Sequence, residues 1–192
     1  MKKYELTTDT KVHFGRKLFR IKALISFGNV EKGDIGGYIE KEENLSHDGD
    51  AWVCGNARVC GDAEVCGNAR VCGNAEVYGD AEVYGNARVC GNARVYGNAR
   101  VCGDARVCGD AHVSDNACVC GDTDYAMVDG FGSTCRTTTF FRQKNKTIKV
   151  VCGCFHGSLD EFRKRVKEHH GDSKYAKEYL QIADLMEFHF NQ

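Results

Sequence analysis

Gly49-Asp-Ala-Trp-Val-Cys54 is followed without a break by Gly55-Asn-Ala-Arg-Val-Cys60. The phrase then returns in a single phase until Asp115-Asn-Ala-Cys-Val-Cys120, twelve times in all. The unit is Gly-[Asn/Asp]-Ala-x-Val-[Cys/Tyr/Ser], and a short exact period is the signature of a solenoid. Val53, Val59 and their successors to Val119 recur every six residues, each with an alanine two positions before it. Six is a multiple of the strand period of two, so all the valines point to one side, as do all the alanines. The Gly-Asn/Asp pair supplies corner residues that tolerate left-handed backbone angles. One short strand and one corner, repeated, predict a prism with three faces per coil. Twelve repeats then make about four coils, stacked roughly 4.8 Å apart. Each buried valine contributes about 1.5–3 kcal/mol before chain entropy is subtracted, so such a core is sustainable without disulfides.

Composition narrows the function classes. A formal net charge of −1 over 192 residues gives no global pull toward nucleic acid or an anionic membrane. No stretch approaches the roughly 20 apolar residues of a membrane helix. Met1-Lys-Lys-Tyr-Glu5 has no apolar run behind it, which predicts no secretory leader. Nine of the twelve cysteines lie inside the repeat, eight of them at its last slot, which Tyr78, Tyr84, Tyr96 and Ser114 also occupy. A disulfide framework would not exchange its cysteines for tyrosines, so these read as thiols of a cytoplasmic protein.

The flanks divide the chain into three parts. Residues 1–48 read as an N-terminal β cap: short strands at Tyr4-Glu-Leu, Lys11-Val-His-Phe and Leu18 to Leu24, with a turn at Phe14-Gly15. Ile39 and Leu45 are six apart like the later valines, but the step to Val53 is eight, which predicts a phase-shifted first coil. Residues 49–122 are the repeat. Residues 123–192 abandon the period and read as a small α+β module. Two strands, Thr137 to Arg142 and Thr147 to Phe155, flank a turn at Lys144. Ser158-Leu-Asp-Glu161 is a capping box opening a helix that stops near Gly171. A second helix begins near Ser173, with Tyr175, Tyr179, Ile182, Leu185 and Met186 on one face.

Three-face folding stacks positions eighteen apart. The first face then carries Trp52, Arg70, Arg88 and Arg106 beside Cys54, Cys72, Cys90 and Cys108. An arginine column next to a thiol column suits an anionic ligand or an acidic partner, and a nearby guanidinium favours thiolate. The alternative, a solvated face whose cysteines were copied by duplication, stays open. In the tail, Cys152-Gly-Cys154-Phe-His156 invites a metal reading. However, the common two-pair spacing of zinc sites is absent and a fourth ligand has to be supposed.

The aliphatic residue followed four positions on by a small one, Val53 with Ala57 and every later pair, resembles the hexapeptide repeat of left-handed parallel β-helices. Handedness is therefore implied by the resemblance. The same resemblance implies an alternative activity, because many such proteins are homotrimeric acyltransferases that use acyl-CoA and place a catalytic histidine between subunits. His112 is then the candidate base, and His47 the other histidine bordering the coils. Against this, residues 49–120 hold no insertion of the kind that builds an active-site cleft. Tyr4-Glu-Leu-Thr, Ile35-Gly-Gly-Tyr-Ile-Glu40, the Gly-Asn/Asp-Ala run, Cys152-Gly-Cys-Phe155 and Leu159-Asp-Glu-Phe162 together resemble a phage and prophage family of hexapeptide-repeat proteins. That likeness implies dedicated ends and a chain encoded by a bacterium or its virus. The expectation is a mainly β protein that binds a protein partner or a small anionic ligand on its first face, without catalysis, metal or cofactor.

Overall fold

The computed structural model describes residues 1–191, apart from the side chain of Asp122. At the N-terminus, β1 (Tyr4–His13) and β2 (Arg16–Ala23) form a hairpin turned by Phe14 and Gly15, both at positive φ (49° and 74°). The two strands expected at Tyr4 and Lys11 are thus one, interrupted by a bulge between Leu6 and Thr10. Next, β3 (Ile35–Ile39) pairs antiparallel with β2 and parallel with the repeat. Ile39 sits opposite Val59 and Leu45 bridges Val65. The expected phase-shifted coil is therefore the first turn of the solenoid.

Each repeat contributes one two-residue strand, the variable residue and its valine: β4 (Trp52–Val53), β5 (Arg58–Val59), β6 (Glu64–Val65), and onward in steps of six to β15 (Cys118–Val119). Residues eighteen apart pair in parallel, as Trp52 with Arg70, Arg70 with Arg88 and Arg88 with Arg106. Every third strand therefore joins one sheet. The first face is β4-β7-β10-β13, the second continues β1-β2-β3 through β5-β8-β11-β14, and the third is β6-β9-β12-β15. With the N-terminal coil this is a parallel β-solenoid of about five turns. Amides donate to the coil that follows, Cys54 N to Val71 O at 2.8 Å and Arg70 N to Ala87 O at 2.9 Å. All twelve valines from Val53 to Val119 are fully buried, with the alanines beside them. Asparagines ladder along two corners, Asn68 to Asn86 to Asp104 and Asn74 to Asn92 to Asp110, at 2.9–3.2 Å.

Beyond the repeat, β16 (Tyr125–Val128), β17 (Thr138–Arg142), β18 (Ile148–Cys152) and β19 (Phe155–Ser158) make an antiparallel sheet in chain order. Two of its strands were expected. The segment expected to run on to Phe155 instead reverses at Gly153, whose φ of 59° is open to glycine. Phe141 and Val151 on one side of the sheet join the solenoid core, while Phe140 and Val150 on the other meet the helices. The helices are α1 (Leu159–His170) and α2 (Lys174–Phe190). Ser158 and Glu161 form the reciprocal cap, with Ser158 N donating to Glu161 Oε2 at 2.7 Å and Glu161 N to Ser158 Oγ at 3.2 Å. On α2 the buried face is Ala176, Tyr179, Ala183, Met186 and Phe190, whereas Tyr175 and Leu185 are exposed. No helix among the described residues is long and apolar enough to cross a membrane.

The expectation of free thiols throughout needs correcting, because Cys54 is bonded to Cys72 and Cys102 to Cys120. The stacking itself is the reason. Identical slots in adjoining coils lie 4.7 and 4.4 Å apart at Cα, within the reach of a disulfide. Tyrosine in the slot forbids a bridge only in its own coil, not where two neighbouring coils both hold cysteine.

Candidate functional site

The arginine column of the first face is built by register alone. Arg70, Arg88 and Arg106 occupy the outward strand position before their valines, and β7, β10 and β13 align them directly. Arg70 is half-buried; Arg88 and Arg106 are exposed. Among the described residues no carboxylate pairs with any of the three.

The other two faces resolve the same situation differently. On the second, Glu76 stands between Arg58 and Arg94 and receives them at 3.0 and 3.4 Å, with His13 of the hairpin at 3.5 Å. Glu76 is only 6% exposed, so its charge is held by cations on both sides. On the third face Glu82 pairs with Arg100 at 3.2 Å. Opposite charges across neighbouring strands stabilise and like charges repel. Glu64 also stands opposite Glu82 on the third face, but only the first face has three like charges in a row with no opposite charge among them.

Trp52 does not extend that surface. It is 4% exposed, packed edge-on by Phe27 at 5.4 Å and by Tyr4 at 6.4 Å beneath the N-terminal cap. The cap needs a flat apolar floor, and the tryptophan supplies it. Cys72 is bonded to Cys54, Cys90 is a half-buried thiol, and the carbonyl of Cys108 accepts from the Tyr125 hydroxyl at 3.3 Å. Burial pushes that hydroxyl up to about 12, aided by the sulfurs of Cys108 and Cys90. The thiols of Cys60 and Cys66 are likewise pushed up by burial.

His112 lies in a cleft that sequence reasoning missed. The solenoid has no inserted loop there, but the C-terminal sheet supplies the missing walls. Asp110, Arg136, Thr137, Thr139 and Gly153 surround His112 around a space of about 190 Å³. The His112 amide donates to Thr139 Oγ1 at 3.1 Å, fixing solenoid to sheet. Burial lowers the affinity of the imidazole for protons, and Arg94 and His156 lower it further. Nothing in 123–137 announces these walls, since that segment has neither period nor capping signal.

The suggested metal ligands are not brought together. His156 pairs with Val151 and Phe155 with Cys152, so alternation sends His156 and Cys152 to opposite sides of the sheet. Cys154 sits in the turn. Among the described residues no group of three His, Cys, Asp or Glu side chains is placed to hold a metal ion.

Comparison with known proteins agrees with this architecture. The family described as YdcK Beta solenoid repeat matches residues 87–103 and 99–115, inside the repeat. A search of curated proteins returned no match.

Proposed function

We propose that the chain is a non-catalytic binding protein whose arginine column seats an acidic segment of a partner protein. The observation that carries this reading is the unmatched ladder of Arg70, Arg88 and Arg106, beside two faces of mixed sign on which Glu76 pairs with Arg58 and Arg94, and Glu82 with Arg100. Guanidinium groups bind carboxylates bidentately, and a rigid column spares the partner's binding energy the cost of ordering the site. The likeness of both ends to phage and prophage proteins supports a bacterial or viral origin. The test is fluorescence anisotropy with a labelled glutamate-rich peptide, with inorganic phosphate as competitor. Arg88→Glu is expected to weaken binding at least tenfold and the triple reversal with Arg70→Glu and Arg106→Glu to abolish it. Lys164→Glu on α1 should change little. Equal binding by the triple variant would refute the proposal, and competition by millimolar phosphate would reassign the column to a small anion.

A second reading is favoured by one observation, the cleft around His112. The objection that the coils lack an inserted loop loses force when another module of the same chain walls the site. An imidazole kept neutral by burial suits a general base toward an acceptor hydroxyl or amine. This acyltransferase reading expects saturable acyl-CoA binding, a homotrimer and loss of turnover in His112→Ala. A monomer indifferent to acyl-CoA removes it.

A further inference from the structure

We propose that the C-terminal module carries a separate binding site for a small aromatic carboxylate, between the β18–β19 turn and the two helices. A cavity of about 240 Å³ opens there. Its floor is Phe155, Phe162, Val166 and Tyr179, with Phe155 and Tyr179 set at 5.5 and 5.7 Å from the Phe162 ring, the second edge-on. Tilted and edge-on rings of this kind leave a slot whose walls favour another ring. The mouth carries Arg136 and Arg165, and no carboxylate lines the cavity. Arg163, two residues away, shows what a satisfied arginine looks like in this module: Asp160, Asp184 and Glu187 all hold it. Among the described residues neither Arg136 nor Arg165 has such a partner.

Gly153 lies against one of these arginines. A Cβ there would lie 2.6 Å from Nη1 of Arg136, so any side chain would displace the guanidinium. Two unpaired guanidiniums above an aromatic floor match a ligand with a planar anionic head and a ring. The volume is below that of sites for drug-sized molecules, which limits the body to about one ring. This site is independent of the arginine column and of the function proposed for it.

The test uses the intact protein and three probes: 4-fluorobenzoate, 4-fluorobenzyl alcohol and acetate. Fluorine NMR is expected to show 4-fluorobenzoate binding, with the alcohol and acetate each at least tenfold weaker. Arg165→Gln, on an exposed helix position, is expected to weaken 4-fluorobenzoate at least tenfold while thermal melting stays unchanged. In parallel, 4-fluorobenzoate should slow alkylation of Cys154, the exposed thiol at the cavity, and leave Cys90 unaffected. Equal binding of the alcohol shows that the arginines do not select the ligand. Equal binding of acetate shows the same for the rings. Either result, or an unchanged affinity in Arg165→Gln, overturns the proposal.

Discussion

The glycine that opens each repeat shows how stacking selects a residue. Gly85 has φ +71°, and a Cβ built on it would lie 2.9 Å from the amide nitrogen of Gly103 in the following coil. Left-handed backbone and close approach therefore act together. The slot admits one other residue, Asp115 at φ 58°, in the last coil, where no later repeat stacks above it. Its carboxylate is instead used at 3.3 Å by Lys149 of the C-terminal sheet. Gly85→Ala is thus expected to cost about 2–4 kcal/mol, and Asp115→Gly no more than about 1 kcal/mol, as read from reversible denaturant melts. The glycine column was legible in the sequence. The reason for the aspartate was not, because only the stacking direction reveals which coil has nothing above it. Histidines give a second expectation at this scale. His13 and His112 both hold protons less readily than the ordinary imidazole value of 6.5, chiefly through burial. A folded-state value below the unfolded one means that stability is fully present above about pH 6.5 and is lost as pH falls through the lowered value. Melting temperature should therefore hold steady above about pH 6.5 and drop as pH falls below it, and His112→Gln should remove part of that drop.

At the scale of elements, two-residue strands are too short to be stable singly, and their register is set by the exact six-residue period. That period made the three sheets and their columns readable before any coordinates. It did not disclose how a column would be satisfied. The cysteine slots looked interchangeable along the chain, yet vertical neighbours at 4.4–4.7 Å bring particular pairs together. In the tail, the capping box at Ser158 was legible because its chemistry is local. The strands β16 and β19 were not, since each is only four residues long and is defined by a partner rather than by its own pattern. The charge columns carry an expectation that separates binding from stability. Arg88→Glu would recreate on the first face the alternation that Arg58, Glu76 and Arg94 already show on the second. It is expected to raise stability by about 0.5–1 kcal/mol in urea unfolding while weakening the acidic peptide. A loss of stability would mean that the arginines are held by something other than their register.

For the whole molecule, both ends of the solenoid are closed by different means. At one end Lys3, almost fully buried, donates from Nζ to the carbonyls of Ala51 and Gly49 at 2.9 and 3.2 Å, and Tyr4 donates to Leu45 O at 2.7 Å. At the other, Phe141 and Val151 continue the core into the C-terminal sheet. Both closures block end-to-end strand pairing, as capping units of a solenoid must. Between them the prism presents three unlike faces, and only one is left with charges of a single sign. The claim that this face binds an acidic partner is tested most directly by the arginine side-chain NMR signals. During titration with a glutamate-rich peptide, the Nε–Hε resonances of Arg70, Arg88 and Arg106 are expected to shift together, with those of Arg58, Arg94 and Arg100 unmoved. Shifts spread evenly over all six arginines, or confined to the second and third faces, would contradict it.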